Sequence, residues 1–390
     1  MTTSDLGPTP ATPEPTDITP RQYRWGLALA YGIHLIIVAL YIFSIIPQKY
    51  HPPEHLFWLH NGGDNQGYYD LAHDISALDF STPNKYPLGL PILILPFVAL
   101  FPAYPMMQLT QVVAAFWSLI MFPVGQWSLG KLGQQTTGRR WLALLAVSLW
   151  TLLPLIFWAG LRIGASPIVA ETGSVHLIWA QMLSDGPTAL CTMLLVIVYL
   201  KLREEPTRWR WAILAGVLAG LLPMIRITAA LIVPVIGVLL LLERHWRALL
   251  TMGVGAIIVY LPQLAYNTHF YGNPFTTGYT ALDTLPPAGL FSFSYLGFGT
   301  RLLWDTLGLL LPLALIGIGI GTFYGLRYLW RVNRWGALVI AGWITSYVAV
   351  YSIYYYSWDS ALLRFWIPMY PAAVIVVVAV VGQIAANRQT

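Results

Sequence analysis

The 390-residue chain reads as an all-α, polytopic membrane protein, and three observations carry that reading. Hydrophobic residues make up 57% of it and charged ones 9%, against roughly 25% charged in a soluble domain. Long apolar runs recur from residue 25 to residue 386, with none of the alternating ten-residue segments of a membrane β-barrel. The charges are also sorted. Fifteen of the 21 Lys and Arg fall on one set of loops, the set that the positive-inside rule assigns to the cytoplasm. Ten of the 16 Asp and Glu fall on the other side or at its membrane edge. Acidic residues barely affect topology, so their bias points to an external polar site. The net charge of +5 is a matter of those basic loops and implies no nucleic acid. The single cysteine, Cys191, excludes an internal disulfide.

Taken in order, residues 1–23 form a Pro- and Thr-rich tail too polar to bury a core, expected to be disordered and cytoplasmic. It has no basic n-region and no small-residue cleavage site, so no cleaved signal peptide is expected. Residues 24–390 form the transmembrane domain. Arg21 and Arg24 flank the first span, 25–46, and place the N-terminus inside. The first external loop runs over 47–105. Within it, the apolar stretch 86–104 is broken by Pro87, Pro91, Pro96 and Pro102. It is shorter than the ~20 residues a crossing needs, and a crossing there would strand Lys131, Arg139 and Arg140 outside. It is therefore expected to be re-entrant or interfacial. Further spans are expected at 106–128, 140–160, 174–200, 210–224, 226–243, 248–268, 302–325, 336–356 and 365–385. That makes about ten crossings, with a tight hairpin near Pro223–Arg226 and a second external loop at 269–301.

The polar stretch from His60 to Ile75 organises the rest. Four aspartates fall between positions 64 and 79. Gly62-Gly63 is a turn signal and Asp64 after it can cap a helix. Residues 66–78 read as that helix, with Tyr68, Leu71, Ala72 and Ile75 on one face. Asp64 then stands at its mouth. Tyr68 and Tyr69 border the same place, although interfacial tyrosines are common without any such role. Arg226 sits in apolar sequence, where an ionisable side chain is expensive and marks a functional candidate. Glu171 and Asp185 lie near the outer end of the fourth span, with capping or pairing to Arg162 as the plain account. His60, His73, His176 and His269 match no zinc spacing.

In this order the residues resemble the GT-C superfamily of integral-membrane glycosyltransferases, nearest its protein O-mannosyltransferase-like and aminoarabinose-transferase-like branch. Five motifs carry the resemblance: Gly63-Asp64 with Gln66-Gly67-Tyr68-Tyr69-Asp70-Leu71-Ala72; Lys85-Tyr86-Pro87-Leu88-Gly89; Leu218-Ala219-Gly220-Leu221 through Arg226-Ile227-Thr228; Tyr266-Asn267 to Gly272-Asn273-Pro274-Phe275; and Arg364-Phe365-Trp366-Ile367-Pro368. The chain departs from the pattern where Asn65 follows Asp64 in place of a second acid, where one proline of a Pro-Pro-Leu segment is missing, and in lacking the large extracytoplasmic C-terminal domain of some branches. The resemblance implies an inverting transfer of a sugar from a polyprenyl-phosphate donor to an acceptor (lipid, glycan or protein) at the outer membrane face, and the Pro- and Thr-rich tail and compact size point to a bacterial plasma membrane. It implies Asp64 as the catalytic base and Lys85 and Arg364 as partners of the departing phosphate, with Arg226, Asn65, Tyr68, Tyr69, Glu171 and Asp185 as further substrate-binding candidates. A divalent metal is compatible with such sites, but no motif here indicates one. The rival reading is a transporter or lipid flippase, which predicts ionisable residues near the midplane and repeat symmetry between halves. A non-catalytic scaffold subunit of a cell-envelope assembly is the weaker third.

Overall fold

The computed structural model describes residues 17–40, 64–162, 182–283, 285–307, 310–355 and 364–388. These are helical throughout: α1 Pro20–Leu40, α2 Asp64–Ala77, α3 Gly89–Leu100, α4 Met106–Phe116, α5 Phe122–Thr137, α6 Arg140–Arg162, α7 Asp185–Glu204, α8 Trp209–Ile225, α9 Ile232–Leu242, α10 Trp246–Tyr271, α11 Gly278–Leu282, α12 Ser294–Leu307, α13 Leu310–Val332, α14 Arg334–Ser352 and α15 Tyr370–Asn387. A π-helical turn, Trp117–Met121, joins α4 to α5, and 3₁₀ turns at Ile227–Leu231 and Arg364–Met369 lead into α9 and α15. Among the described residues the β content is one isolated bridge between Phe291 and Tyr354.

Seven helical stretches among the described residues are long and apolar enough to cross a bilayer: Pro20–Leu40, Gln108–Thr137, Asp185–Glu204, Trp246–Tyr271, Pro312–Val332, Arg334–Ser352 and Phe365–Asn387. Apolar helices within Arg140–Leu153, Trp209–Ile225 and Ile227–Leu242 are shorter and occupy the three other expected spans. The run expected to be re-entrant holds α3, whose 12 residues reach about 18 Å, short of a crossing. Its buried Leu90, Ile94 and Val98 lie among α2, α4 and α8. Two boundaries move. The fourth helix begins at Asp185, residues 163–181 lying outside the described ones. The stretch expected at 302–325 reaches further both ways: α12 covers 294–307 and α13 runs to Val332, residues 308–309 between them lying outside the described ones. It stops where Asn333 caps α14, its side-chain oxygen accepting from the Gly336 N–H at 3.0 Å.

α7 is the spine of the bundle. From Asp185 to Leu200 all but one of its residues are buried, as expected of a helix covered on every side. Ion pairs at its two ends fix how its neighbours run. Asp185 pairs with Arg226, just past α8, while Arg203 donates to Glu243, just past α9, at 2.6 Å. The chain therefore reverses at Arg226, whose extended backbone (φ −156°, ψ 122°) breaks the helix. Here the expected tight hairpin is splayed. α8 packs chiefly on α10 and α7, because Gly216 and Gly220 bring its backbone against the Met252 and Ala256 carbonyls of α10, the small-residue contact common between membrane helices.

The bundle consequently has two unlike ends. At one, Asp17 reaches the Trp141 and Arg140 N–H groups at 3.1 and 3.2 Å, and Asn333 donates to the Gln135 carbonyl at 2.9 Å. The basic loops gather there. At the other end lie α2, the strap 84–88, the turn at Arg226 and α11.

Candidate functional site

Asp64 is already helical and is the first described residue of α2, so the helix includes the expected 66 and the two residues before it. Of the four residues expected on one face, Tyr68, Leu71 and Ala72 are at most 2% exposed and Ile75 is half-buried. The Tyr86 hydroxyl donates to Asp64 Oδ1 at 2.8 Å. This hydroxyl arrives because Gly67, one turn along α2, has no side chain: a Cβ there would overlap the Tyr86 ring. The Tyr86 N–H is anchored on Asn84 Oδ1 at 3.1 Å, and the Asn84 amide reaches the Gly67 carbonyl at 3.0 Å. Asp64 is thus held by a strap that is itself pinned to the helix bearing it.

The strap is fastened on its other side by α10. The Asn84 N–H donates to the Tyr266 hydroxyl at 2.9 Å, and the Tyr271 hydroxyl to the Asn84 carbonyl at 2.7 Å. The Leu88 N–H donates to Gln263 Oε1 at 2.8 Å, and Gln263 passes the chain of bonds to Asn267 and on to the Pro274 carbonyl. Asn267 and Asn273 accordingly shape the second loop. A narrow cavity of about 10 Å³ lies under the strap between Tyr86, Gln263, Tyr266 and Tyr279, room for about one water.

A buried ion pair lies behind the tyrosines. Asp185 is fully buried and holds the Arg226 guanidinium, which also lies over the Phe365 ring at 4.4 Å from its centroid. Next to Asp185, Ser184 Oγ accepts from the Tyr68 hydroxyl at 3.3 Å. Tyr68 lies 4.5 Å from Tyr86, centroid to centroid, and Tyr86 meets Tyr279 edge-on at 5.9 Å. Tyr279, on α11, senses both parts of the site. Burial first, then Tyr68, Asp64 and Tyr86, push its phenol well above the ordinary range, while Arg226 pulls it down. Three tyrosines therefore bridge the Asp64 carboxylate and the Asp185–Arg226 pair.

Lys85 points to the other side of the strap. Its Nζ lies 3.2 Å from Asp283 Oδ1 and 5.4 Å from the Tyr86 ring centroid, with 36% of the side chain exposed. Gly278 permits this, since its missing Cβ lets α11 rest directly on the Lys85 backbone.

Asp64, Tyr68, Asp185, Arg226 and Lys85 are therefore brought to one end. Asp185 pairs with Arg226, and the expected pairing with Arg162 involves a side chain outside the described ones. Asn65 is 1% exposed, and neither polar atom of its amide has a hydrogen-bond partner among the described residues. Tyr69 turns away, donating to the Tyr104 carbonyl at 2.9 Å and tying α2 to the turn before α4. Arg364 opens the 3₁₀ turn that carries Phe365 over Arg226. Glu171 lies outside the described residues. Tyr86, Tyr279 and Phe365 were not singled out from sequence. All three stand in motif or loop segments that were, but nothing in their spacing marks Tyr86 and Tyr279 as neighbours of Asp64 or places Phe365 over Arg226.

No protein-family model matches the chain, and no curated protein matches it. Among solved structures the fold is that of GT-C membrane glycosyltransferases. ArnT from Cupriavidus metallidurans bound to undecaprenyl phosphate matches with a TM-score of 0.52 and 16% identity over 96% of this chain and 61% of that one. Its apo state matches at 0.55 and 15% identity, over 95% and 62%. An Archaeoglobus fulgidus oligosaccharyltransferase in complex with Zn and sulfate matches at 0.55 and 12% identity, over 93% and 51%. The chain thus spans between one half and two thirds of the length of these structures.

Proposed function

We propose that the protein is an inverting glycosyltransferase that moves a sugar from a polyprenyl-phosphate donor to an acceptor at the extracytoplasmic face of a bacterial plasma membrane. The observation that carries this reading is a part-buried carboxylate, Asp64, oriented by the Tyr86 phenol beside a buried Asp–Arg pair, at the end of a GT-C bundle remote from its basic rim. The acceptor hydroxyl attacks the anomeric carbon, its proton passes to Asp64, and the carbon–oxygen bond to phosphate breaks with its electron pair on the leaving lipid phosphate. Lys85 and Arg364 receive that phosphate. The Lys85–Asp283 pair is partly exposed, so an incoming phosphate has solvent access to its ammonium. Arg226, compensated by Asp185 and covered by Phe365, positions the tyrosines that wall the sugar site. The Asn65 amide, without a partner among the described residues, suits a sugar hydroxyl, since a buried amide left without a partner costs about 1–3 kcal/mol.

The transporter reading places its ionisable groups at the midplane. The ion pairs among the described residues lie instead toward the two ends of the bundle: Lys85–Asp283 and Arg226–Asp185 at one, Arg140–Asp17, Lys201–Glu204, Arg203–Glu243 and Arg208–Glu205 at the other. The donor class is tested by thermal unfolding in detergent with undecaprenyl phosphate as the probe. Wild type is expected to be stabilised in proportion to ligand occupancy, and Lys85→Ala to lose most of that gain while unfolding normally alone. No stabilisation of the wild type by the lipid phosphate would contradict the donor assignment.

A further inference from the structure

Resting on the reading of Asp64 as the base, we propose that Tyr86 is a positioning residue whose phenol sets the orientation and proton affinity of the Asp64 carboxylate. The geometry is specific to the hydroxyl. It donates to Oδ1 at 2.8 Å, from a ring that is 4% exposed and cannot swing away without displacing Tyr68 on one side and Tyr279 on the other. Both neighbours of the strap keep it in place: Gly67 receives the ring, and Tyr266 and Tyr271 of α10 clamp Asn84 two residues before it. A shift in the second external loop is therefore transmitted to the base through one hydrogen bond.

A phenol donating to a carboxylate favours its ionised form. Its removal shifts proton affinity by about one pH unit, the equivalent of one hydrogen bond to a charged group. Other charged and titratable groups lie around Asp64 among the described residues. Tyr68, Asp70, His73 and Asp74 lie on its own helix, Lys85 on the strap, Tyr279 and Asp283 on the α11 side, and Asp185 with Arg226 behind them. α3 and α4, which also pack on α2, bring none. Tyr86→Phe changes none of these groups and keeps the packed ring, so the comparison isolates the hydroxyl.

The test needs no substrate. The full chain in detergent is titrated by infrared spectroscopy, following the carboxylic-acid band that Asp64→Asn removes. In Tyr86→Phe the midpoint of that band should rise by about one pH unit. With 3-fluorotyrosine at position 86, a stronger donor, it should move the opposite way. A packing role alone would leave the midpoint unmoved in both. An unmoved midpoint, or the lack of any Asp64-dependent band, overturns the proposal. Should the Phe variant fail to accumulate, the fluorotyrosine protein, whose ring differs by one atom, decides alone. Sugar transfer by Asp64→Asn is assayed separately: wild-type turnover there removes the base assignment, whereas an unmoved midpoint with a dead Asp64→Asn removes only the role of Tyr86.

Discussion

Two residues separated by 41 positions form the buried ion pair of the candidate site. Asp185 is fully buried and Arg226 nearly so, and removing one member of such a pair strands the other charge at a cost of about 3–5 kcal/mol. Arg226→Gln is expected to lower the thermal unfolding temperature sharply. The double variant with Asp185→Asn should recover most of the loss, giving a non-additive cycle; strict additivity would mean that the two do not act as a pair. Asp74 behaves differently. Burial, then the charges of Asp79 and Asp70, raise its carboxyl above the ordinary range, with His73 opposing. Its ionised form is therefore disfavoured by folding, a penalty present above the raised folded-state pKa and gone below the unfolded one. Asp74→Asn should stabilise the protein at neutral pH, and the gain should shrink as pH falls through the acid range, read from unfolding temperatures across a pH series. Sequence marked Asp64, Arg226 and Asp185 one by one, because ionisable residues are rare in an apolar chain. It did not pair them, since helical periodicity says which face a residue occupies and not which distant helix meets it.

At the scale of elements, α2 was the most legible part of the chain. The spacing of Tyr68, Leu71, Ala72 and Ile75 placed a helix over 66–78, and the described helix covers Asp64–Ala77. The strap 84–88 was legible only as a motif. Its function depends on what is missing at Gly67 and Gly278, where a Cβ would overlap the Tyr86 ring and the Lys85 backbone respectively. Gly67→Ala should therefore push Tyr86 off Asp64 and reduce turnover. Gly278→Ala should displace α11 with Asp283, exposing Lys85 to labelling by amine reagents. If both variants keep wild-type turnover and labelling, the strap is not a positioning element. The apolar stretch expected to end at 325 runs on to Val332, because hydropathy alone does not fix where a helix stops.

The whole molecule is an asymmetric bundle. One rim holds the fifteen Lys and Arg of the basic loops; the opposite rim holds Asp64, Lys85, Asp185 and Arg226. Charge placement alone foretold that asymmetry, since sorting lysine and arginine is how membrane topology is written into a sequence. A cysteine introduced at Leu78, 80% exposed just past the C-terminal end of α2, should react with an impermeant thiol reagent in intact cells, and one at the exposed Arg210 only after lysis. The reverse pattern would invert the proposed orientation. The most direct measurement of the central claim is sugar transfer by the purified chain. Radiolabelled polyprenyl-phosphate sugars are supplied with membrane acceptors to wild type and to Asp64→Asn. The account predicts transfer by the wild type with inversion at the anomeric carbon, and a fall of about 10²-fold or more in the variant at equal folded amount. Equal rates from the two proteins would contradict it.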